Sequence, residues 1–352
     1  VQYQNTIVFT SDRLQPETTL VAKPFLKFDG VTKLPNKTIY GATGNAYLQL
    51  YQHGIKTDQV SLFYLKSKGD YHIGTPTFSA DGNEIFFTTT RVPEKIGRIK
   101  RSERTINVEI YSAKKTNGVW SEATPFRYNK AQKWSVGDPF LTKDGSTLYF
   151  VSNMPGGMGG TDIYYCKRNA DGEWDEAVNL SDINTPGNER SVAVDDRYFY
   201  FSTDGLVSMG GLDIYRARIK NGVLSKIENL GFPINSPQDD FAYSLTSSQK
   251  RYLSSNREGG LGSDDIYSYL DLEKISIPFE SQIFDKETNL PLANAVITLT
   301  KLNGSTLKIQ TDEFGKYKLA LDENAEYQLL IDKTNYVSMR SQLSTKSVGM
   351  DS

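Results

Sequence analysis

One cysteine and two histidines in 352 residues remove several kinds of chemistry at the outset. A lone Cys166 excludes an internal disulfide framework and any zinc site built on cysteine. Lys plus Arg number 40 against 42 Asp plus Glu, so the net charge of −2 argues against a nucleic-acid binder that works by bulk electrostatics. No run of about 18 apolar residues occurs, so nothing reads as a membrane-crossing helix. An amphipathic 3.6-residue pattern of useful length is also missing. The opening VQYQNTIVFTSD lacks a basic-then-apolar leader and reads as the middle of a strand pair, the expectation for a trimmed chain.

What the chain has in quantity is aromatic residues, 21 Tyr and 17 Phe, set in a repeat. Asp-Ile-Tyr recurs at Asp162–Tyr164, Asp213–Tyr215 and Asp265–Tyr267, with weaker copies at Glu109–Tyr111 and Gln49–Tyr51. The five tyrosines are spaced by 60, 53, 51 and 52 residues. An apolar run precedes each: TIVFTSD, EIFFTTT, TLYFVSN, YFYFSTD and RYLSSNR. Before that come a short alternating run and a turn such as Asp81-Gly82 or Asp144-Gly145, expected as type I′ hairpins. After each motif comes a second turn, Asn117-Gly118, Asp171-Gly172 or Asn221-Gly222, and a fourth short strand.

Four antiparallel strands per repeat, five times over, predict an all-β fold: a five-bladed β-propeller across 1–273, followed by a small β-sandwich. Val1-Gln2-Tyr3 is the shortened inner strand of the first copy, and the fifth copy shows no outer strand after Tyr267. Ring closure then needs either a segment upstream of Val1 or a three-stranded blade. From 274 to 346, strands of alternating character separated by turns at 285–291, 303–304 and 314–315 predict the sandwich, with 347–352 as an exit linker.

Three Gly-rich loops, at 154–162, 205–213 and 257–265, invite a phosphate or calcium reading. A phosphate loop needs a following helix N-terminus, and calcium needs several converging oxygens. These loops run into strands and carry one or two carboxylates each. Asp162, Asp213 and Asp265 are therefore expected to bind the loop amides, with Tyr164, Tyr215 and Tyr267 buried as the structural core of each motif. Asp138, Glu189, Asp239 and Asp240 recur at the start of inner strands and are candidates for one mouth of a central channel. A pairing of Asp138 with Glu189 would be the only route to a glycosidase, although the two fall at equivalent positions rather than opposed ones. Ser79-x-Asp81-x-Asn83 resembles a sialidase Asp-box, which is a turn device. His53 and His72, both assigned to the first copy, have no nucleophile partner in the sequence. The expectation is no catalysis, no cofactor and no metal.

The insertion at 91–104 carries Arg91, Lys95, Arg98, Lys100, Arg101 and Arg104 against Glu94 and Glu103. Of these, Arg98, Lys100, Arg101 and Arg104 are candidates for docking an acidic partner.

The repeat resembles the PD40 repeat of TolB-type periplasmic propellers, related in form to WD40. The likeness lies in the S/T-x-D-G turn, the apolar second strand, the Gly-rich loop, D-I-Y, and the linkers Asn179-Leu180…Ile183-Asn184-Thr185-Pro186 and Asn229-Leu230…Ile234-Asn235-Ser236-Pro237. Asp285…Pro291-Leu292…Ala295-Val296 and Thr311-Asp312-x-x-Gly315-x-Tyr317 resemble the carboxypeptidase regulatory-like domain. The two in this order resemble Bacteroidota OmpA-family proteins, in particular the PorE-like group of the type IX secretion system. Gln49 in place of Asp, and the insertion in the second copy, depart from the pattern. The resemblance implies a periplasmic, outer-membrane-associated scaffold whose propeller docks protein partners of a secretion or adhesin-export complex. It also implies attachment to peptidoglycan through a domain outside this chain. A ligand-sensing propeller that takes a peptide or glycan in its channel mouth is the alternative.

Overall fold

The computed structural model describes residues 1–13, 46–65, 70–91, 107–220, 222–271, 276–301, 306–322 and 325–345. These residues form strands and turns, with no helix among them. The chain divides into two units, Val1–Asp271 and Leu272–Ser352.

The first unit holds five antiparallel sheets, each formed from strands consecutive in sequence. The first sheet is Gln2–Tyr3, Thr6–Ser11, Gln49–Gly54 and Val60–Leu62. The second is Asp70–Phe78, Glu84–Arg91, Glu109–Thr116 and Val119–Trp120, with Thr124–Pro125 also paired to its third strand. The third is Val136–Leu141, Thr147–Ser152, Asp162–Lys167 and Val178–Asn179. The fourth is Glu189–Val194, Tyr198–Thr203, Asp213–Lys220 and Val223–Asn229. The fifth keeps three strands, Asp240–Ser244, Lys250–Ser255 and Asp265–Leu270.

Each sheet packs its face on the next. The cores between sheets are aromatic: Phe86, Ile110, Phe150 and Tyr164 meet between the second and third, and Val151, Ile163, Phe199 and Phe201 between the third and fourth. At each junction an inner-strand N–H, from the fourth residue in the second sheet and the first residue in the third to fifth, donates to the carbonyl just before the third strand of the preceding sheet. The pairs are Ile73 to Leu48 (2.8 Å), Val136 to Val108 (2.9 Å), Glu189 to Thr161 (2.8 Å) and Asp240 to Leu212 (2.6 Å). The fifth sheet returns to the first through Gln2, whose Nε2 donates to Ser247 Oγ (3.0 Å) while Ser247 N–H donates to Gln2 Oε1 (2.6 Å). Four-stranded sheets stacked face to face in succession, with the last returning to the first, are the plan of a β-propeller.

Inner strands two to five share one irregularity. Their pairing with the second strand shifts after Gly74, Gly137, Arg190 and Phe241. The next residues, Thr75, Asp138, Ser191 and Ala242, all have positive φ, between 41° and 53°. That is a β-bulge repeated at one register. The hairpins differ from expectation. Gly82 and Gly145 have positive φ while Asp81 and Asp144 do not. The turn is therefore a longer loop closed by glycine; among the described residues of the expected turns, Asn117-Gly118 is the pair in which both have positive φ, as type I′ requires, and Asn221 lies outside the described residues. Asp81 and Asp144 act through their carboxylates, accepting from Asn83 N–H and Ser146 N–H at 3.0 Å each.

The second unit has a two-stranded sheet, Ser276–Gln282 with Lys316–Asp322, and a four-stranded one in the order Thr306–Gln310, Val296–Lys301, Glu326–Asp332, Met339–Ser344. Ile297, Leu299, Tyr317, Leu319, Leu321 and Tyr327 fill one core. Alternation inside and outside is plain along Lys316–Asp322, where Tyr317, Leu319 and Leu321 are buried and their neighbours are not.

Candidate functional site

The Gly-rich loops of sheets three to five are held by the carboxylates that follow them. Asp162 accepts from Met158 N–H (2.9 Å), and Asp213 from Met209 N–H (2.7 Å). Asp265 accepts from Leu261 N–H (2.7 Å) and Gly262 N–H (2.9 Å). Two residues on, and so on the same strand face, Tyr164 and Tyr215 donate from their hydroxyls to Met154 O (3.4 Å) and Val207 O (2.5 Å) of the same loops. A Cβ on Gly157 would lie 1.8 Å from Asp162 Oδ2, so the loop closes on its carboxylate only because that position is glycine. The amides occupy the carboxylates. The loop tips Met158, Met209 and Leu261, each four residues before the motif Asp, are exposed.

Tyr51, Tyr111, Tyr164 and Tyr215 are buried, but Tyr267 is only half-buried under the Arg257 guanidinium, 4.8 Å from its ring. Among the described residues the fifth sheet has no fourth strand to cover its side of that residue.

The acidic residues expected at a channel mouth are placed differently. Glu189 and Asp240 are register-equivalent, paired with Thr203 and Ser255. The residue at that register in the third sheet is Val136, opposite Ser152, and Asp138 lies two residues further on at the bulge. Alternation alone could not show this, because a bulge adds a residue without changing the polarity pattern. Asp138, Glu189 and Asp240 are all less than a tenth exposed. Asp138 accepts from Arg190 Nε (2.6 Å), and Asp240 from Arg257 Nη2 (2.5 Å), Ser236 N–H (2.6 Å) and Ser236 Oγ (2.8 Å). The Asp138 carboxylate raises the Arg190 guanidinium still further above its ordinary value. Asp239 is half-buried and accepts from Leu212 N–H (2.8 Å).

Glu189 has no cationic partner among the described residues. Its Oε1 accepts from Thr185 Oγ1 (2.6 Å) and Thr203 Oγ1 (2.7 Å), and its Oε2 has no protein partner. Burial pushes this carboxyl above the ordinary glutamate value, while the two hydroxyl donors pull the other way. The residue two positions after Thr203, where the fifth sheet has Arg257 after Ser255, is Gly205. A Cβ there would lie 1.7 Å from Thr185 Oγ1, which leaves no room for a basic side chain.

His53 lies in the third strand of the first sheet, 2.7 Å from Asp58. His72 lies in the first strand of the second sheet, not in the first copy as the sequence suggested, and its Nδ1 accepts from Leu48 N–H (3.2 Å). Burial lowers its pKa. The two take part in separate local contacts. Cys166 is buried, and burial pushes its thiol up to about 12. Arg98, Lys100, Arg101 and Arg104 lie outside the described residues.

Sequence reasoning missed an asparagine bracket. Ile163 N–H donates to Asn184 Oδ1 (2.9 Å) while Asn184 Nδ2 donates to Ile163 O (2.9 Å). Asn235 does the same to Ile214, and Asn129 to Ile110. The side-chain amide thus adds to the last strand's own rung, since each Ile carbonyl also accepts a backbone N–H, from Leu180, Leu230 or Phe126. The 21-residue interval from the motif Ile to the linker Asn in the third and fourth copies was the available signal.

No family model and no curated protein matches this chain. Among solved structures, it is similar to TolB from Acinetobacter baumannii at 16% identity and TM-score 0.37, over 85% of this chain and 57% of that one. It is similar to a thermostable family-43 glycoside hydrolase at 13% identity and TM-score 0.42, over 63% and 81% respectively. It is also similar to prolyl oligopeptidase B from Galerina marginata at 12% identity and TM-score 0.34, over 86% and 37%. The chain spans about 37% of that oligopeptidase and 57% of that TolB. None of the three assigns chemistry to this chain.

Proposed function

We propose that residues 1–271 are a five-bladed β-propeller, that the second unit is a β-sandwich of the carboxypeptidase regulatory-like type, and that the chain is a non-catalytic docking scaffold. The observation that carries this reading is the internal commitment of the motif and inner-strand carboxylates. Asp162, Asp213 and Asp265 hold loop amides, Asp138 and Asp240 hold arginines, and Glu189 holds two threonines. A glycosidase pair needs two carboxyls facing a shared substrate space. What the loops present outward instead is apolar: Met158, Met209 and Leu261 at one position in three sheets. Rigid repeated tips on a packed frame suit protein docking. The motif resemblance to PorE-like OmpA-family proteins supports placing the scaffold in the periplasm, at an outer-membrane secretion or adhesin-export complex linked to peptidoglycan.

The test is capture of a partner from envelope extract by the purified chain, compared with the triple variant Arg98→Glu, Lys100→Glu, Arg101→Glu. Capture should weaken in the variant, most at low ionic strength, with an unchanged melting temperature. Capture that is indifferent to the reversal at every salt concentration removes the basic segment from the docking surface. Glycosidase or peptidase turnover that Asp138→Asn or Glu189→Gln abolishes overturns the scaffold reading.

A further inference from the structure

The fourth sheet departs from its neighbours in the loop before its motif. Counting back from Asp162, Asp213 and Asp265, the sixth residue is Gly156, Val207 and Gly259. The linker after the fourth sheet is also one residue longer than the linker before it. Six positions separate Asn229 from Asn235, against five from Asn179 to Asn184, and the longer linker carries Phe232. The frame needs neither Val207 nor Phe232, because the third sheet makes the equivalent motif and bracket hydrogen bonds without them. Val207 is 95% exposed and Phe232 is 81% exposed. Met209, two residues after Val207, is exposed as well.

The backbone under these side chains is fixed. Val207 O accepts from the Tyr215 hydroxyl (2.5 Å), and the Ser208 hydroxyl donates to Gly210 O (2.8 Å). Asp213 Oδ2 accepts from Met209 N–H (2.7 Å) and from Asn229 Nδ2 (2.8 Å). Asn229 Oδ1 in turn accepts from the N–H of Gly231 (2.7 Å), the residue before Phe232. One carboxylate and one amide therefore join the Met209 loop to the Phe232 turn, and the three apolar side chains form a group. Holding them in water contributes nothing to the fold, whereas a partner that covers them meets a backbone already ordered.

The charge around the group has one sign. Loop 204–212 begins at Gly205 against Thr185 and Gly187, and ends at Gly210 and Gly211 against Pro237 and Asp239, so a linker flanks it on either side. Residues 180–188, 204–212 and 230–239 contain Asp182, Asp204 and Asp239 and no lysine or arginine. Asp182 and Asp204 are exposed. Arg190 and Arg257, which follow the two linkers, are committed to Asp138 and Asp240. Both linkers and the loop lie within 107–220 and 222–271, all described.

We propose that Val207, Met209 and Phe232 form a docking surface for a segment of a protein partner that carries apolar side chains beside lysine or arginine. The apolar side chains cover the loop and the turn. The cations meet Asp182 and Asp204, which steer the encounter and make it sensitive to salt. The same carboxylates repel an anionic bilayer, the other surface that takes exposed valine, methionine and phenylalanine. The proposal rests on the docking reading and adds where the partner sits and what chemistry it brings.

The probe is the blocked, fluorescently labelled peptide Gly-Lys-Leu-Lys-Phe-Lys-Gly, with Glu in place of each Lys as its control. Binding of the Lys peptide to the purified chain should saturate and weaken as salt rises, and the Glu peptide should not bind. Val207→Gly with Phe232→Ser, the first of which restores the glycine of the neighbouring copies, should weaken binding about ten-fold or more, the scale of one apolar side chain taken out of water. Asp182→Asn with Asp204→Asn should weaken it about three- to ten-fold and flatten the salt dependence. Both double variants should melt within about two degrees of the natural chain, because all four side chains are exposed. No saturation up to about 1 mM peptide, a very weak affinity, overturns the proposal. Equal binding of the Glu peptide, or binding that Val207→Gly with Phe232→Ser leaves intact, overturns it too. Binding of the chain to phosphatidylglycerol vesicles that this double variant abolishes replaces the protein partner with a membrane and overturns it as well. Capture from envelope extract separates the two readings. Capture unchanged in the apolar double variant keeps the docking reading and removes this surface, whereas peptide binding without any envelope capture keeps the surface and removes the envelope partner.

Discussion

Asn184 grips Ile163 by both backbone groups, accepting its N–H and donating to its carbonyl at 2.9 Å each, from 21 residues further along the chain. It is buried, so replacement by Ala strands the Ile163 N–H away from water, while the Ile163 carbonyl keeps the bond it accepts from Leu180 N–H (3.0 Å). Asn184→Ala should cost about 2–3 kcal/mol in urea unfolding, within the range for buried unsatisfied groups. Asn184→Asp keeps the acceptor, loses the donor and adds a buried charge, so it should be no better. A loss below half a kcal/mol for the alanine variant would mean that the bracket is decorative.

The motif tyrosines separate packing from position. Tyr164 is buried and stacks on Phe150 with ring centroids 5.8 Å apart, whereas Tyr267 is half-buried at the fifth sheet. Tyr164→Ala should destabilise by about 3–5 kcal/mol, the usual range for a buried aromatic. Tyr267→Ala should cost clearly less. Equal losses would contradict the exposure difference.

Cys166 should be inert in the folded chain. Its thiol is buried and pushed up to about 12, so thiolate is scarce at pH 8. A disulfide reagent that reports released chromophore should label it only as fast as the chain unfolds. Stoichiometric labelling within minutes under native conditions would show an accessible sulfur.

Glu189 predicts a slope in stability with pH. Burial raises its carboxyl above 4.5, so the folded chain holds this proton more tightly than the unfolded chain does. Stability from this group is fully present below the unfolded value and declines as pH rises through the raised folded value. Relative to Glu189→Gln, the natural chain should therefore lose melting temperature as pH is raised from 4 to 7. A constant difference across that range would show that the carboxyl titrates alike in both states.

Sequence carried the repeat because its signals are local. Asp-Gly and Asn-Gly turns declare positive φ by residue type, and the run Tyr198–Thr203 declares a strand buried on both faces by its lack of polar alternation. The loop-binding role of Asp162, Asp213 and Asp265 was equally readable, since carboxylates beside glycines have amides to hold. Three things needed the fold. The bulge moves Asp138 out of register with Glu189 with no mark in the polarity pattern. The Asn184 bracket joins two segments that local reading treats as strand and linker. The half-exposed state of Tyr267 follows from what the neighbouring strands leave uncovered, which no property of the Asp-Ile-Tyr tripeptide encodes.

The Gln2–Ser247 pair has a mechanical consequence. Four joints between sheets share one backbone rung and a dry aromatic or aliphatic floor, while among the described residues the fifth is tied by the side chain of Gln2 at the surface. A circular chain of unequal links parts at the lightest one. Under heat, denaturant or force, the unit should first uncouple there and hinge open as an arc of four intact joints, with the outermost sheets peeling before the middle ones.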